Sequence, residues 1–197
     1  MMIIQTLSLK DCSKLCVNER EALRYLGVKE ADECVLSLLK TCEAELLELS
    51  EPRAVYTLVD IVNNGESVDF GFMRVESKNL AKNLEGCTGA YIFCATLGIK
   101  IDRYYERLTK VSQAKATVFS SAASSLIESF CDYLNRELAC DLVTKPRFSC
   151  GYGDFCIKHQ ADILNALEAG KRLGVCLTEN YMMVPVKTVT AIIGIGR

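Results

Sequence analysis

The segment Ala90-Tyr91-Ile92-Phe93-Cys94-Ala95-Thr96 is the clearest strand in the sequence. It is almost wholly apolar, and Leu97-Gly98 ends it before a helical pattern begins. A short apolar run that contains β-branched and aromatic residues predicts a buried strand. We therefore expect this strand to lie at the centre of the fold.

A second strand region precedes it. Residues 54–62 are rich in β-branched residues, and Asn63-Asn64-Gly65 is a turn signal. After this turn, Val68, Phe70 and Phe72 alternate with smaller or polar residues. This pattern predicts a hairpin that joins residues 54–62 to the strand around Val68.

Helical periodicity dominates downstream of the central strand. The longest stretch, residues 112–142, has an apolar stripe and, within it, the run of small residues Ser120-Ser121-Ala122-Ala123-Ser124-Ser125, which would let another backbone approach closely. The elements predicted here are helices over 102–108, 112–142 and 157–169 (the last stopped by Gly170) and, from Val175, two strands that flank Pro185. Because helices and strands mix without a regular βαβ alternation, the sequence predicts an α+β fold with a largely antiparallel sheet and flanking helices.

The N-terminal residues are expected to be helical. Asn18 is placed to cap a short helix that ends at Gly27, and a longer amphipathic helix follows, with Pro52 just past its end. We expect residues 1–197 to form a single domain, made of a helical N-terminal segment (1–52) and an α+β core (53–197).

Composition excludes two classes of function. Lys plus Arg (23) nearly balance Asp plus Glu (25), and no block of like charge occurs, so we expect no nucleic-acid partner. The N-terminus lacks the pattern of a signal peptide, and no apolar run approaches the ~20 residues that cross a bilayer. The prediction is a cytoplasmic protein that does not bind a membrane.

Eleven cysteines are many for 197 residues. No CxxC pair occurs, and four cysteines fall among apolar neighbours, where cysteine packs as a small hydrophobe: Cys34, Cys42, Cys94 and Cys131. We therefore expect most thiols to be reduced packing residues, and we predict no metal site. A thiol-based metal or redox protein remains an alternative.

Three motifs in the C-terminal half resemble one known family. Arg147-Phe148-Ser149-Cys150-Gly151-Tyr152 resembles an RxxPGY loop, and Leu177-Thr178-Glu179 followed by Met183 and Pro185 resembles an LTE…MxP segment. Upstream, the segment Leu126 to Leu134 is similar to a helix that bears LAEAFAEYL. Together these motifs resemble the reactivation domain of cobalamin-dependent methionine synthase, which binds S-adenosylmethionine (AdoMet), here in a short stand-alone form.

The resemblance implies a function. In that family, the domain restores methylcobalamin after the cobalt has been oxidised, with an electron from a flavodoxin- or ferredoxin-type donor and a methyl group from AdoMet. For this chain it implies an AdoMet-binding partner that acts on a separate methionine synthase, or on another corrinoid protein. The cofactors implied are AdoMet and a cobalamin that the partner holds.

The resemblance also selects candidate binding residues: Arg147, Ser149, Gly151, Tyr152 and Glu128. Arg147 has a planar fork suited to a carboxylate, and Gly151 permits a positive φ and close backbone approach. Tyr152 offers a flat face and a hydroxyl, and Glu128 is suited to an ammonium or a ribose hydroxyl. Asp154, Thr178 and Glu179 are second-rank candidates, and we predict no catalytic side chain.

Three positions depart from the family pattern. Cys150 and Cys156 stand where the family has proline, and Ile193 stands where it has a tyrosine that touches AdoMet. These departures favour an alternative function, that of a non-catalytic adaptor that docks on a corrinoid protein without binding AdoMet.

Overall fold

The structure is a computed structural model that describes residues 2–28, 30–140 and 142–196. Within these ranges the chain forms nine strands and seven α-helices. In chain order they are β1 (Gln5–Ser8), α1 (Glu19–Leu26), α2 (Glu33–Leu49), β2 (Arg53–Asp60), β3 (Val62–Asn63), β4 (Ser67–Asp69), β5 (Arg74–Glu76), α3 (Lys78–Asn83), β6 (Cys87–Thr96), α4 (Ile99–Val111), α5 (Gln113–Ala139), α6 (His159–Ala166), α7 (Ala169–Leu173), β7 (Cys176–Leu177), β8 (Met183–Val184) and β9 (Thr188–Gly196).

The predicted α+β class is confirmed. The main sheet has the order β1-β2-β6-β9, and every neighbouring pair in it is antiparallel. The strand predicted at residues 90–96 is part of β6, which pairs with β2 on one side and with β9 on the other. Its side chains alternate between two cores, so Phe93 packs toward one group of helices and Ile92 toward the opposite side of the sheet.

The long helix α5 covers one face of this sheet. Two of its own side chains, Phe119 and Phe130, are fully buried, and burial of each such side chain stabilises the fold by about 1.5–3 kcal/mol. Its small residues allow α1 to approach closely, as predicted. The Ser121 hydroxyl donates to the carbonyl oxygen of Ala22, and the Ser125 hydroxyl oxygen accepts from the Asn18 amide at 2.9 Å.

The N-terminal segment is helical, as predicted, but it also contributes a strand. Asn18 caps α1 by accepting from the Glu21 amide at 3.1 Å, and Gly27 closes it at φ +72°. The prediction missed β1, which pairs with Arg53–Tyr56 of β2 and forms an edge of the main sheet. Because β1 is only four residues long, its alternation is too short to distinguish from loop.

The predicted hairpin is wrong in its partners. Residues 53–60 pair with β1 and β6, while the strand at residues 67–69 pairs with the two-residue β3 instead. The turn itself lies where it was predicted: the Asn63 side chain accepts from the Gly65 amide, and the Asn64 side chain from the Ser67 amide. The chain leaves the main sheet between Asp60 and Val62, and no turn signal marks that exit.

Two helix ends also differ from prediction. Helix α5 ends at Ala139 rather than at residue 142. Gly170 does not stop the helix predicted over 157–169; α6 ends at Ala166, and Gly170 lies inside α7. The glycine that ends α7 is Gly174, whose left-handed conformation (φ +73°) is typical of a helix C-terminus.

Burial divides the cysteines more evenly than expected. Cys42, Cys94 and Cys131 are buried, as predicted, together with Cys87 and Cys150. Cys34 is exposed, contrary to the prediction, because it lies on the outer face of the first turn of α2. No helix among the described residues is long and apolar enough to cross a membrane.

Candidate functional site

The loop that bears Arg147 is fixed to the free edge of β9. Phe148 and Ile192 exchange two backbone hydrogen bonds, each 2.9 Å long, and the Lys145 amide donates to the Gly194 carbonyl oxygen at 2.9 Å. These bonds extend the sheet beyond β9 and hold the loop beside α5. Arg147 therefore faces the acidic residues of α5.

Arg147 joins two carboxylates of α5. Its Nη2 lies 2.8 Å from Glu128 Oε2, and its Nη1 lies 2.6 Å from Asp132 Oδ1. The Arg147 side chain is 19% exposed, against 33% for Glu128 and 60% for Asp132. Burial opposes the charge of the guanidinium, but Cys131, Asp132 and Glu128 outweigh it and raise the pKa of Arg147. The guanidinium is therefore a permanent cation held between two anions.

A pocket of about 540 Å³ opens beside this triad. Its volume falls within the range of roughly 300–1,000 Å³ that is usual for small-molecule sites. It combines charged, amide and aromatic walls. The residues that line it are Glu128, Asp132, Asn135, Pro146, Arg147, Phe148, Ser149, Tyr152 and Val189.

Four of the five predicted binding residues line this pocket: Arg147, Ser149, Tyr152 and Glu128. Gly151 lies just outside the lining. It has φ +89°, and its amide donates to the Phe155 carbonyl oxygen at 2.8 Å. The glycine thus closes the turn that presents Ser149 and the 68% exposed Tyr152, and its amide is occupied within the loop.

The second-rank candidates lie elsewhere. The Asp154 carboxylate caps α3: it accepts from the Ser77 hydroxyl and, at 2.8 Å, from the Lys78 amide. These hydrogen bonds lower the pKa of Asp154, and the bond from Ser77 contributes most. Thr178 and Glu179 belong to the turn between β7 and β8, where the Thr178 amide donates to the Met182 carbonyl oxygen and the Thr178 carbonyl oxygen accepts from the Tyr181 amide. Asp154 therefore anchors the loop, and the turn at Thr178 lies outside the lining.

The positions that depart from the family pattern have different surroundings. Cys150 is buried, and burial raises the pKa of its thiol to about 12. Cys156 is exposed. Ile193 is 2% exposed and packs in the core between the sheet and the helices, so it is absent from the pocket lining.

Two polar residues of the pocket were not predicted from the sequence. Asp132 and Asn135 follow Glu128 on α5 at i+4 and i+7, which places all three on one face of the helix. Asn135 Oδ1 is buried and finds no hydrogen-bond partner among residues 2–28, 30–140 and 142–196. The helical spacing from Glu128 was the signal that could have revealed both.

The pocket walls suit a ligand that carries several kinds of group. Carboxylates accept from cationic donors, the remaining N–H groups of Arg147 can bind a carboxylate, and Phe148 and Tyr152 provide flat faces. No group of three or more His, Cys, Asp or Glu side chains that could hold a metal ion occurs in the part of the chain that the structure describes.

Comparison with known proteins gives a match by structure. No protein-family model matches the sequence, and no curated protein matches it. Among solved structures, the MetH reactivation domain bound to AdoHcy superposes with a TM-score of 0.70 at 16% sequence identity. The match covers 98% of this chain and 78% of that structure. The chain therefore shares the fold of the MetH reactivation domain.

Proposed function

We propose that this protein is an AdoMet-binding reactivation partner of cobalamin-dependent methionine synthase or a related corrinoid protein. It would support the reductive methylation of cob(II)alamin to methylcobalamin, and so methionine biosynthesis in the cytoplasm. The observation that carries the proposal is the pocket of Arg147, Glu128 and Tyr152 in a chain that has the fold of the MetH reactivation domain over 98% of its length. That structure is bound to AdoHcy, which is AdoMet without the transferred methyl group.

The residues of the pocket fit the parts of AdoMet. Its carboxylate would bind N–H groups of Arg147 that are not used by Glu128 and Asp132, while its ammonium would bind these two carboxylates. Phe148 and Tyr152 would contact the adenine. AdoMet supplies an electrophilic methyl group when bound; the chain supplies binding and orientation.

The partner would supply cobalamin, and a flavodoxin- or ferredoxin-type donor would supply the electron. We infer that this chain acts in trans as one domain, with no catalytic side chain of its own. Because the methyl group must reach the cobalt directly, the docking surface would surround the mouth of the pocket, where Tyr152 is exposed.

Two observations favour the alternative of a non-catalytic adaptor. Both ends of the Arg147 fork are already bound to protein carboxylates, and the side chain of Ile193 is buried rather than available to a ligand. An adaptor would dock on the corrinoid protein but would not bind AdoMet.

Calorimetric titration with AdoMet separates the two functions. We expect binding in the micromolar-to-millimolar range. Arg147→Lys should weaken it by roughly 1.5–3 kcal/mol, because lysine keeps the charge but loses the planar fork that bridges several carboxylates. Arg136→Lys, the same change at an exposed residue of α5 that does not line the pocket, is the matched control and should have no effect. Absence of AdoMet binding by the wild-type protein would refute the proposed function and leave the adaptor.

A further inference from the structure

The pocket carries an excess negative charge. Three of its lining residues are charged, and two of these, Glu128 and Asp132, are anions against the single cation Arg147. The nearby charges of α1 do not alter this balance. Glu21 and Arg24, which share Tyr25 as a neighbour with Glu128, pair with each other at 3.1 Å.

The two carboxylates share the excess charge, because each accepts one hydrogen bond from Arg147. Glu128 lies deeper, whereas Asp132 is 60% exposed. One guanidinium neutralises one carboxylate in total. Because Arg147 is partly buried, solvent screens the remaining negative charge of the pocket less than it would at an exposed site.

We propose that this excess charge makes the pocket select the sulfonium form of its ligand over the demethylated thioether, with Asp132 as the specificity-determining residue. This inference rests on the proposed function. AdoMet has one carboxylate, one ammonium and one sulfonium, a net charge of +1, whereas AdoHcy has lost the sulfonium charge and is neutral overall. AdoMet therefore neutralises the pocket, and AdoHcy leaves it with a net charge of −1.

This selection would favour binding of AdoMet before methyl transfer and release of AdoHcy after it. The sulfonium of the methyl donor is attracted by the excess negative charge of the Glu128–Asp132 pair, and loss of the methyl group removes that attraction while the ligand's other charged groups remain. At the separations within one pocket and an effective dielectric intermediate between water and protein interior, we expect a preference on the order of tenfold. Salt should reduce it, because Asp132 is exposed.

The test is calorimetric titration of the wild-type protein and of Asp132→Asn with both ligands at low ionic strength. Asparagine keeps an oxygen that can accept from Arg147 and removes one negative charge. We expect the wild type to prefer AdoMet. Asp132→Asn should lower the affinity for both ligands, because both carry the ammonium, but should lower the affinity for AdoMet several-fold more and so reduce the preference. The matched control is Glu137→Gln, an exposed carboxylate on the same helix that does not line the pocket, which should keep the wild-type ratio.

The outcomes separate this inference from the proposed function. If the wild type binds both ligands with equal affinity, or if Asp132→Asn weakens both alike, charge selection is wrong while the AdoMet site stands. If the wild type binds neither ligand, the proposed function is refuted and charge selection with it.

Discussion

At the scale of single residues, burial separates the cysteines into two groups of different reactivity. Burial raises the pKa of Cys42 to about 11 and those of Cys94 and Cys150 to about 12, so these thiols stay protonated near neutral pH. The thiolate is the reactive form, and a buried thiol is also inaccessible to a reagent. The exposed thiols are Cys16, Cys34, Cys140, Cys156 and Cys176.

We therefore expect a thiol reagent to label the five exposed cysteines of the native protein rapidly and the five buried ones slowly. All eleven should react once the protein is unfolded in guanidinium, which serves as the control. Mass spectrometry of peptides from briefly labelled protein would identify the sites. Rapid labelling of Cys94 or Cys150 in the native state would contradict the burial described above.

The candidate site shows how far single residues could be predicted. Arg147, Ser149, Tyr152 and Glu128 were selected by a motif resemblance, and the structure brings them to one pocket. The pairing of Arg147 with both carboxylates was not predictable. It requires the loop to be hydrogen-bonded to β9 beside α5, and contacts over such sequence distances leave no local pattern in the chain.

At the scale of secondary-structure elements, Asp154 connects the candidate loop to helix α3. Its hydrogen bonds from Ser77 and from the amides of Lys78 and Asn79 lower its pKa below the ordinary value of 3.8. A carboxyl group with a depressed pKa in the folded state stabilises the fold above its unfolded pKa. That contribution is lost as the pH falls through the folded pKa.

We expect Asp154→Asn to lower the free energy of unfolding at neutral pH and to flatten its decline below about pH 4. Urea unfolding of the wild type and the variant across this pH range measures both effects. Asp60→Asn, a change at an exposed aspartate at the end of β2, is the control. Equal pH dependence in wild type and Asp154→Asn would show that this cap contributes nothing to acid stability.

The elements themselves were predictable to the extent that their signals are local. Asn18 and Gly27 bound α1 because capping is decided by a few neighbouring residues. The pairing of β2 with β1 and β6, rather than with β4, was not predictable from the turn at Asn63-Asn64-Gly65. Strand pairing between distant segments depends on which faces are buried by helices, and a turn signal reports only its own neighbourhood.

At the scale of the whole molecule, the fold and the pocket serve one proposed task. The sheet and α5 together fix the Arg147 loop, and the pocket opens at the surface beside Tyr152. In the proposed function the chain acts on a separate protein, and its docking surface would itself have to provide the affinity that a tether supplies through an effective concentration in the millimolar range. Preference for the cob(II)alamin form of the synthase would keep the chain from obstructing turnover, because a ligand shifts an equilibrium only through differential affinity.

The measurement that tests this account most directly is reactivation in trans. A cobalamin-dependent methionine synthase that lacks a reactivation domain is prepared in its cob(II)alamin form and supplied with AdoMet, a low-potential electron donor and substrates. We predict that adding this protein restores methionine formation, and that Arg147→Lys restores it more slowly at limiting AdoMet. Reactivation at the same rate with and without the protein would contradict the account.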